Sequence, residues 1–333
     1  MDKMLFNQVI PRLRVLETRL LDKSKLDRMI DADSAKEALK VLQESEYAVH
    51  LSDIKRAEDY EIILRDELIR VYDMFYHMIP VKSVVDFMSL KYDYHNLKVM
   101  IKEKILDTDL SYLYIPVGTI DTNKLKFYLD SEYYRDLAPT MRRALETALE
   151  DYSISKDPQN IDIILDRYLF EHMYDLVKTI DDRSLEKYLK MLIDLTNIKT
   201  LLRIKGQNKS REFLNKTIIP SGNLDNERLN NLYGDSVENI SGRLSFTDYE
   251  SIIRTGLEEY SITGSLGKLE KNIDNFLMDF MKKAKYVTFG IEPIIAYLYA
   301  KENEIKLIRI IMVGKLNNVP PEVIRERLRD NYA

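Results

Sequence analysis

The sequence predicts an all-α fold made of three similar helical segments, and two observations carry that prediction. Helix formers such as Leu, Lys, Glu, Met and Arg are plentiful, while 333 residues hold only ten glycines and nine prolines. That balance disfavours a turn-rich β protein. The chain also repeats itself. Asp93-Tyr94-His95-Asn96-Leu97-Lys98 returns 101 residues later as Asp194-Leu195-Thr196-Asn197-Ile198-Lys199, and more weakly 107 residues after that as Lys301-Glu302-Asn303-Glu304-Ile305-Lys306. A period of about 100 residues is too long for a thin solenoid repeat and long enough for each copy to have a small core.

Residues 1 to 20 read as one amphipathic segment with Leu5, Val9, Leu13 and Leu16 at helical spacing. The first repeated start follows at Leu21-Asp22-Lys23-Ser24-Lys25-Leu26. Its counterparts are Ile120-Asp121-Thr122-Asn123-Lys124-Leu125 and Leu224-Asp225-Asn226-Glu227-Arg228-Leu229. An Asp placed just ahead of an apolar helix predicts an N-cap, its carboxylate accepting orphan backbone N–H groups. The joints before the second and third starts match too, as Ile115-Pro116-Val117-Gly118 and Ile219-Pro220-Ser221-Gly222. Pro and Gly mark the turn between helices. The segments are therefore 1–119, 120–223 and 224–333, the first carrying an extra N-terminal helix and the third an extra C-terminal one.

Within each segment an acidic-Tyr pair recurs, as Glu46-Tyr47, Asp151-Tyr152 and Glu259-Tyr260. A long helix pair follows in which Leu64, Leu165 and Ile273 align. From these to Lys98, Lys199 and Lys306 the distances are 34, 34 and 33 residues, so the pair keeps its register while the earlier loops vary. One helix of the second pair is expected over Leu185 to Lys205. Near the end, Val319-Pro320-Pro321 followed by Ile324 to Leu328 imitates a fourth start, a helix expected to dock near the N-terminal one.

Charge and composition narrow the function classes. A net charge of −5 with both signs interspersed lacks the basic excess of a nucleic-acid binder. No cysteine is present, which excludes disulfides, thiolate nucleophiles and thiolate metal sites. Met1-Asp2-Lys3-Met4 leads into a charged amphipathic segment rather than a signal peptide. The apolar run Ile294 to Ala300 is far shorter than the roughly 20 residues that span a bilayer.

The chain shows no familiar catalytic constellation. His50, His77, His95 and His172 show no zinc-binding spacing, and Asp93 and His95 lie two apart, on different helix faces. Gly264-Ser265-Leu266-Gly267-Lys268 resembles a phosphate loop only faintly, with Ile262 in place of its first glycine and Leu269 in place of the magnesium-binding hydroxyl. It reads as an ordinary loop. Asp181-Asp182 and Asp31-Asp33 read as helix-start residues. No catalytic, cofactor-binding or metal residue is expected. The repeated Asp/Asn/Lys sets leave two readings: polar clusters facing a shared centre, or i, i+3 pairs that knit a helix to its own neighbour.

Taken together, the three-segment layout, the Ile-Pro-x-Gly joints, the Asp-x-x-Asn-apolar-Lys helices and the ending Tyr299-Ala300-Lys301-Glu302-Asn303-Glu304-Ile305-Lys306 make the chain similar to the C subunit of the V-type (archaeal A-type) rotary ATPases, the counterpart of the d subunit of the eukaryotic V-ATPase. The resemblance covers essentially the whole chain. It implies a funnel-shaped protein of three helical domains around a pseudo-threefold axis. Such a protein is a non-catalytic socket in the central stalk, between the shaft subunits and the proteolipid rotor ring. It couples ATP hydrolysis or synthesis to ion movement on the cytoplasmic face of the membrane, held there by protein contacts without a membrane span or cofactor. The ion, proton or sodium, is chosen in another subunit. Asp93, Lys98, Asp194, Lys199 and Lys306 are the candidates for shaft contact. The alternative from another class is a free-standing helical adaptor that binds partner helices in grooves between segments.

Overall fold

The computed structural model describes residues 2–333, leaving aside the Asp53 side chain, and these residues are all-helical, with no strand among them. In chain order the α-helices are α1 (Val9–Glu17), α2 (Lys23–Asp31), α3 (Ala35–Val41), α4 (Tyr60–Met78), α5 (Lys82–Leu106), α6 (Thr122–Ser131), α7 (Pro139–Ser155) and α8 (Pro158–Ile180). They continue as α9 (Arg183–Gly206), α10 (Arg211–Thr217), α11 (Asn226–Gly234), α12 (Val237–Arg243), α13 (Glu250–Thr263), α14 (Gly267–Lys282), α15 (Glu292–Leu316) and α16 (Pro321–Arg327).

Local chemistry explains where these helices begin and end. Asp22, Asp121 and Asp225 each accept from backbone N–H groups of the first turn of α2, α6 and α11, as the repeated starts predict. Asp182 caps α9, which runs one to two residues beyond its expected bounds. The other expected acidic starts differ. Asp181 is the left-handed C-cap of α8, with φ 53°, and Asp31 is the last residue of α2; Ser34 is the cap of α3. An acidic residue signals a helix terminus without saying which end, because the neighbouring backbone decides which group it meets. Gly264 likewise ends α13 in the left-handed conformation, at φ 68°, as a helix-terminating turn requires.

The chain forms two compact units. In residues 89–273, α7 and α8 form an antiparallel hairpin around Ala144, Leu145, Ala148, Ile161 and Leu165, all fully buried. The alanines let the two backbones approach. Where α13 meets Leu269, Gly256 plays that part: an added Cβ would lie 2.8 Å from the Leu269 Cα.

The second unit, residues 2–88 with 274–333, is arranged about α15. This helix is buried almost all round, from Pro293 to Gly314, and Tyr297 stacks on Phe75 of α4 at 5.3 Å. Its apolar run is thus a core helix. No helix among the described residues is long and apolar enough to cross a membrane.

The expected single N-terminal helix is interrupted. A 3-10 turn over Lys3–Phe6 precedes α1, so Phe6, Val9, Ile10 and Leu13 are buried while Leu5 is left 50% exposed. The tail reaches this region. Arg325 of α16 pairs with Asp31, and Tyr332 donates to Glu17 of α1 at 2.9 Å.

One buried contact gives a pH prediction. His172 of α8 lies edge-on to Tyr94 of α5, ring centroids 6.0 Å apart, with the Tyr94 hydroxyl 3.3 Å from Nδ1. Burial lowers the His172 pKa, and Asp175 only partly opposes this. A histidine with a depressed folded pKa contributes stability above its ordinary value of 6.5 and loses it as pH falls through the folded value. The thermal midpoint should therefore decline as pH drops below 6.5. His172→Phe should flatten the upper part of that decline while leaving the carboxylate-driven loss at lower pH. An unchanged profile would remove His172 from the account.

Candidate functional site: three buried joints

The repeated polar residues converge on one task. Asp93 of α5 is fully buried and accepts from the Thr119 amide at 2.8 Å, the Thr119 hydroxyl at 2.6 Å and the Ile120 amide at 3.1 Å. Asp194 of α9, also fully buried, accepts from Asn223 at 2.9 Å, the Leu224 amide at 2.9 Å and the Tyr249 hydroxyl at 2.6 Å. Ile120 and Leu224 are the first residues of the second and third repeated starts. Each long helix thus holds the beginning of the next segment by a carboxylate.

The Asn three residues on completes the hold. Asn96 donates to the Ile115 carbonyl and accepts from the Ile115 amide, both at 2.9 Å. Asn197 does the same with Ile219, at 2.8 and 2.9 Å. A residue preceding proline is steered to extended backbone, where its N–H and C=O have no helical partner. The primary amide supplies one donor and one acceptor to match. Gly118 and Gly222 are required by space: a Cβ on either would fall inside the Asp93 or Asp194 carboxylate. The Ile-Pro-x-Gly joint and the Asp-x-x-Asn helix are therefore two halves of one contact.

The third copy makes the same contact with different residues, and it closes on the first segment. Glu304 of α15 accepts from the Leu21 amide, the first residue of the first start, and from the Tyr47 hydroxyl at 2.9 Å. Two residues before Leu21 stands Arg19, where the other joints have glycine. The carboxylate here comes one helical turn later and on a longer side chain. Lys301, at the place of the aspartates, is 1% exposed and lies 2.7 Å from Glu304, 3.2 Å from Glu67 of α4 and 5.0 Å from the Tyr47 ring centroid. Asn303 holds the tail, donating to the Asp330 carbonyl at 3.0 Å.

Electrostatics fit this arrangement. Burial works against the charged forms of Glu67 and Lys301, yet each is held ionised by its neighbours. Arg70 and Lys301 keep Glu67 below the usual carboxylate range, and Glu304, Tyr297 and Glu67 raise Lys301. Burial first, then the adjoining carboxylates, raises the Tyr47 and Tyr249 hydroxyls, which stay neutral donors.

A second contact recurs in the same cyclic order on the surface. Lys102 pairs with Asp162 at 2.8 Å, Arg203 pairs with Glu270, and Arg309 pairs with Glu61 at 2.6 Å. Each acid stands three residues before the aligned Leu165, Ile273 or Leu64. These exposed pairs contribute at most about 1 kcal/mol apiece and set register more than stability.

The sequence-derived candidates separate by place. Asp93 and Asp194 lie inside joints. Lys98 of α5 pairs with Asp166 at 2.5 Å, and Lys306 of α15 pairs with Asp274, also at 2.5 Å. Lys98 reaches the following segment whereas Lys306 stays within its own, so these two are not equivalent. Lys199 is half-buried on α9. His95, two residues from Asp93, points elsewhere, to the Leu113 carbonyl at 3.0 Å. The acidic-Tyr alignment needs correction. The partner of Tyr47 is Tyr249, which follows Asp248, and not Tyr260; the recurrence of acidic-Tyr pairs offers both registers, and only the hydroxyl contacts choose. Among the described residues no group of three His, Asp or Glu side chains is placed to hold a metal ion.

A fold whose buried charges serve to fasten like segments end to end defines a helical structural subunit. The comparisons with known proteins agree. Residues 9–327 match the ATP synthase (C/AC39) subunit family. The C subunit of the V-type sodium ATPase of Enterococcus hirae is 28% identical over 98% of this chain and 99% of its own length. The C subunits of the A-type ATP synthases of Methanocaldococcus jannaschii and Pyrococcus abyssi are 29% and 25% identical, over 95% of this chain and 84% and 88% of theirs. The chain belongs to the ATP synthase (C/AC39) subunit family. It is a subunit of the V-type/A-type rotary ATPases, and it has no catalytic site of its own.

Proposed function

We propose that this subunit is the socket of the central stalk, a rigid coupling between the rotating shaft and the proteolipid ring of the membrane rotor. The observation that carries the reading is the cyclic order of the joints, first to second, second to third, third to first. In this reading the segments 1–119, 120–223 and 224–333 are three like parts, each fastened to the start of the next. A coupling that transmits torque must not yield, and contacts fastened by buried charge-assisted hydrogen bonds yield less than loops. The subunit then works on the cytoplasmic face of the membrane, held by protein contacts alone, and serves ATP-driven ion transport or ATP synthesis.

In this reading Lys98, Lys199 and Lys306 offer positive charge to the shaft, while Asp93 and Asp194 act indirectly by holding the segments in place. The test is extraction of native membranes in mild detergent and capture of this subunit. Proteolipid and head subunits should be recovered with it, at one copy of this chain per complex. Its recovery alone, or with soluble partners only, would remove the socket reading and restore the adaptor. Lys199→Glu should weaken reassembly with shaft subunits while leaving helicity and the melting temperature unchanged. A marked drop in melting temperature would instead assign Lys199 to the fold.

A further inference from the structure

We propose that the hollow formed by α10, α11 and α12 is a binding site for small phosphate-bearing anions. The hollow has a volume of about 460 Å³ and is lined by Arg211, Arg228 and Arg243, with Asp235 its one acidic residue. Arg243 is paired with Asp235 at 3.3 Å, and Arg228 stands 3.8 Å from Asp225 while lying over the Phe246 ring at 4.8 Å. The Arg211 guanidinium lies over Tyr233 at 6.0 Å and against Gly234, where an added Cβ would be 3.3 Å from Nη2. Three guanidinium forks therefore border one cavity that has a single carboxylate, leaving N–H donors for a ligand. A planar fork matches two phosphate oxygens at once, which a lysine ammonium does not.

A second hollow in the same unit has the opposite character. That hollow, where α6 meets the end of α5, has a volume of about 370 Å³ and is lined by Glu103, Asp107, Asp109 and Asp130, with Lys104 and Lys126. Lys126 there is already paired with Glu103 at 2.6 Å. An adjoining hollow of about 570 Å³ shares Phe246 and adds Arg183, Lys187 and Lys190 against Glu186 and Asp248. Phe246 is 60% exposed, an apolar surface between two cationic hollows for the organic part of a phosphate ester. The inference is independent of the socket reading.

The experiment is isothermal titration of the purified protein at low salt with pyrophosphate, then with ATP, then with pyrophosphate in the presence of phosphatidate vesicles. Saturable pyrophosphate binding is expected, weakening as salt rises. Arg211→Gln and Arg228→Gln should each reduce affinity about tenfold to a hundredfold. Lys104→Gln, in the acidic hollow, should leave it unchanged. Tighter binding of ATP than of pyrophosphate would extend the site to Phe246, and competition by vesicles would make a lipid headgroup its ligand; both support the site. Absence of saturable binding at millimolar pyrophosphate, or parental affinity in both arginine variants with their circular dichroism intact, would overturn it.

Discussion

Lys301→Met is expected to lower the unfolding free energy by about 3–5 kcal/mol, the largest effect of any single substitution in the joints, because it leaves two carboxylates buried without their shared cation. Glu67 is fully buried and Glu304 is 5% exposed, and Lys301 lies between them. Arg70 still reaches Glu67 at 2.7 Å, so the greater part of the damage falls on Glu304 and, through it, on the Leu21 amide and Tyr47 hydroxyl. Urea denaturation would measure the loss. The triple variant Lys301→Met, Glu67→Gln, Glu304→Gln should recover a large part of it, since an uncharged buried set carries little desolvation penalty. A single variant within about 1 kcal/mol of the parent, below the range expected for a broken buried pair, would show that water reaches the cluster.

Acid should reach the same cluster from the other side. The Glu67 pKa is held below its ordinary value of 4.5, so its contribution is present above that pH and is lost as pH falls through the lower folded value. This loss begins below 4.5, whereas the loss from His172 begins at its ordinary value of 6.5.

Gly222→Ala should cost on the order of 3 kcal/mol although it adds only a methyl group. The new Cβ would occupy the position of the Asp194 carboxylate and press on Ile193. Asp194 must then leave the Leu224 amide, Asn223 and Tyr249, all of which it binds in the closed joint. Asp194→Ala should cost a similar amount by removing the acceptor directly. The double variant should cost little more than either single one, because both break one contact. Gly242→Ala is the control: a Cβ there meets nothing within 4 Å, and the position lies inside α12, so stability should hold or rise slightly. Additive losses at 194 and 222 would separate the glycine from the carboxylate.

Much of this molecule can be read along the chain. Asp22, Asp121 and Asp225 announce helix starts because a cap is a contact over two or three residues, and local spacing displays it. The register of the long helix pairs is equally visible, since helical periodicity fixes which residues share a face. The Ile-Pro-x-Gly motif and the Asp-x-x-Asn helix are both conspicuous, and so is their recurrence. Family membership follows from that order.

Tertiary structure alone decided what those residues do. Nothing within Asp93-Tyr94-His95-Asn96 tells whether its carboxylate meets another protein or a peptide 26 residues on, because a buried acceptor is satisfied by whichever donors packing brings to it. The third joint is harder still: Glu304 and Leu21 are 283 residues apart, and Glu304 stands where its counterparts have asparagine. The pairing of Tyr47 with Glu304 and of Tyr249 with Asp194 has the same origin. The sequence by itself determined the long helices, the caps at Asp22, Asp121, Asp182 and Asp225, the threefold repetition and the family. The closure of the last segment on the first was decided by packing, because that contact joins residues that no local pattern connects.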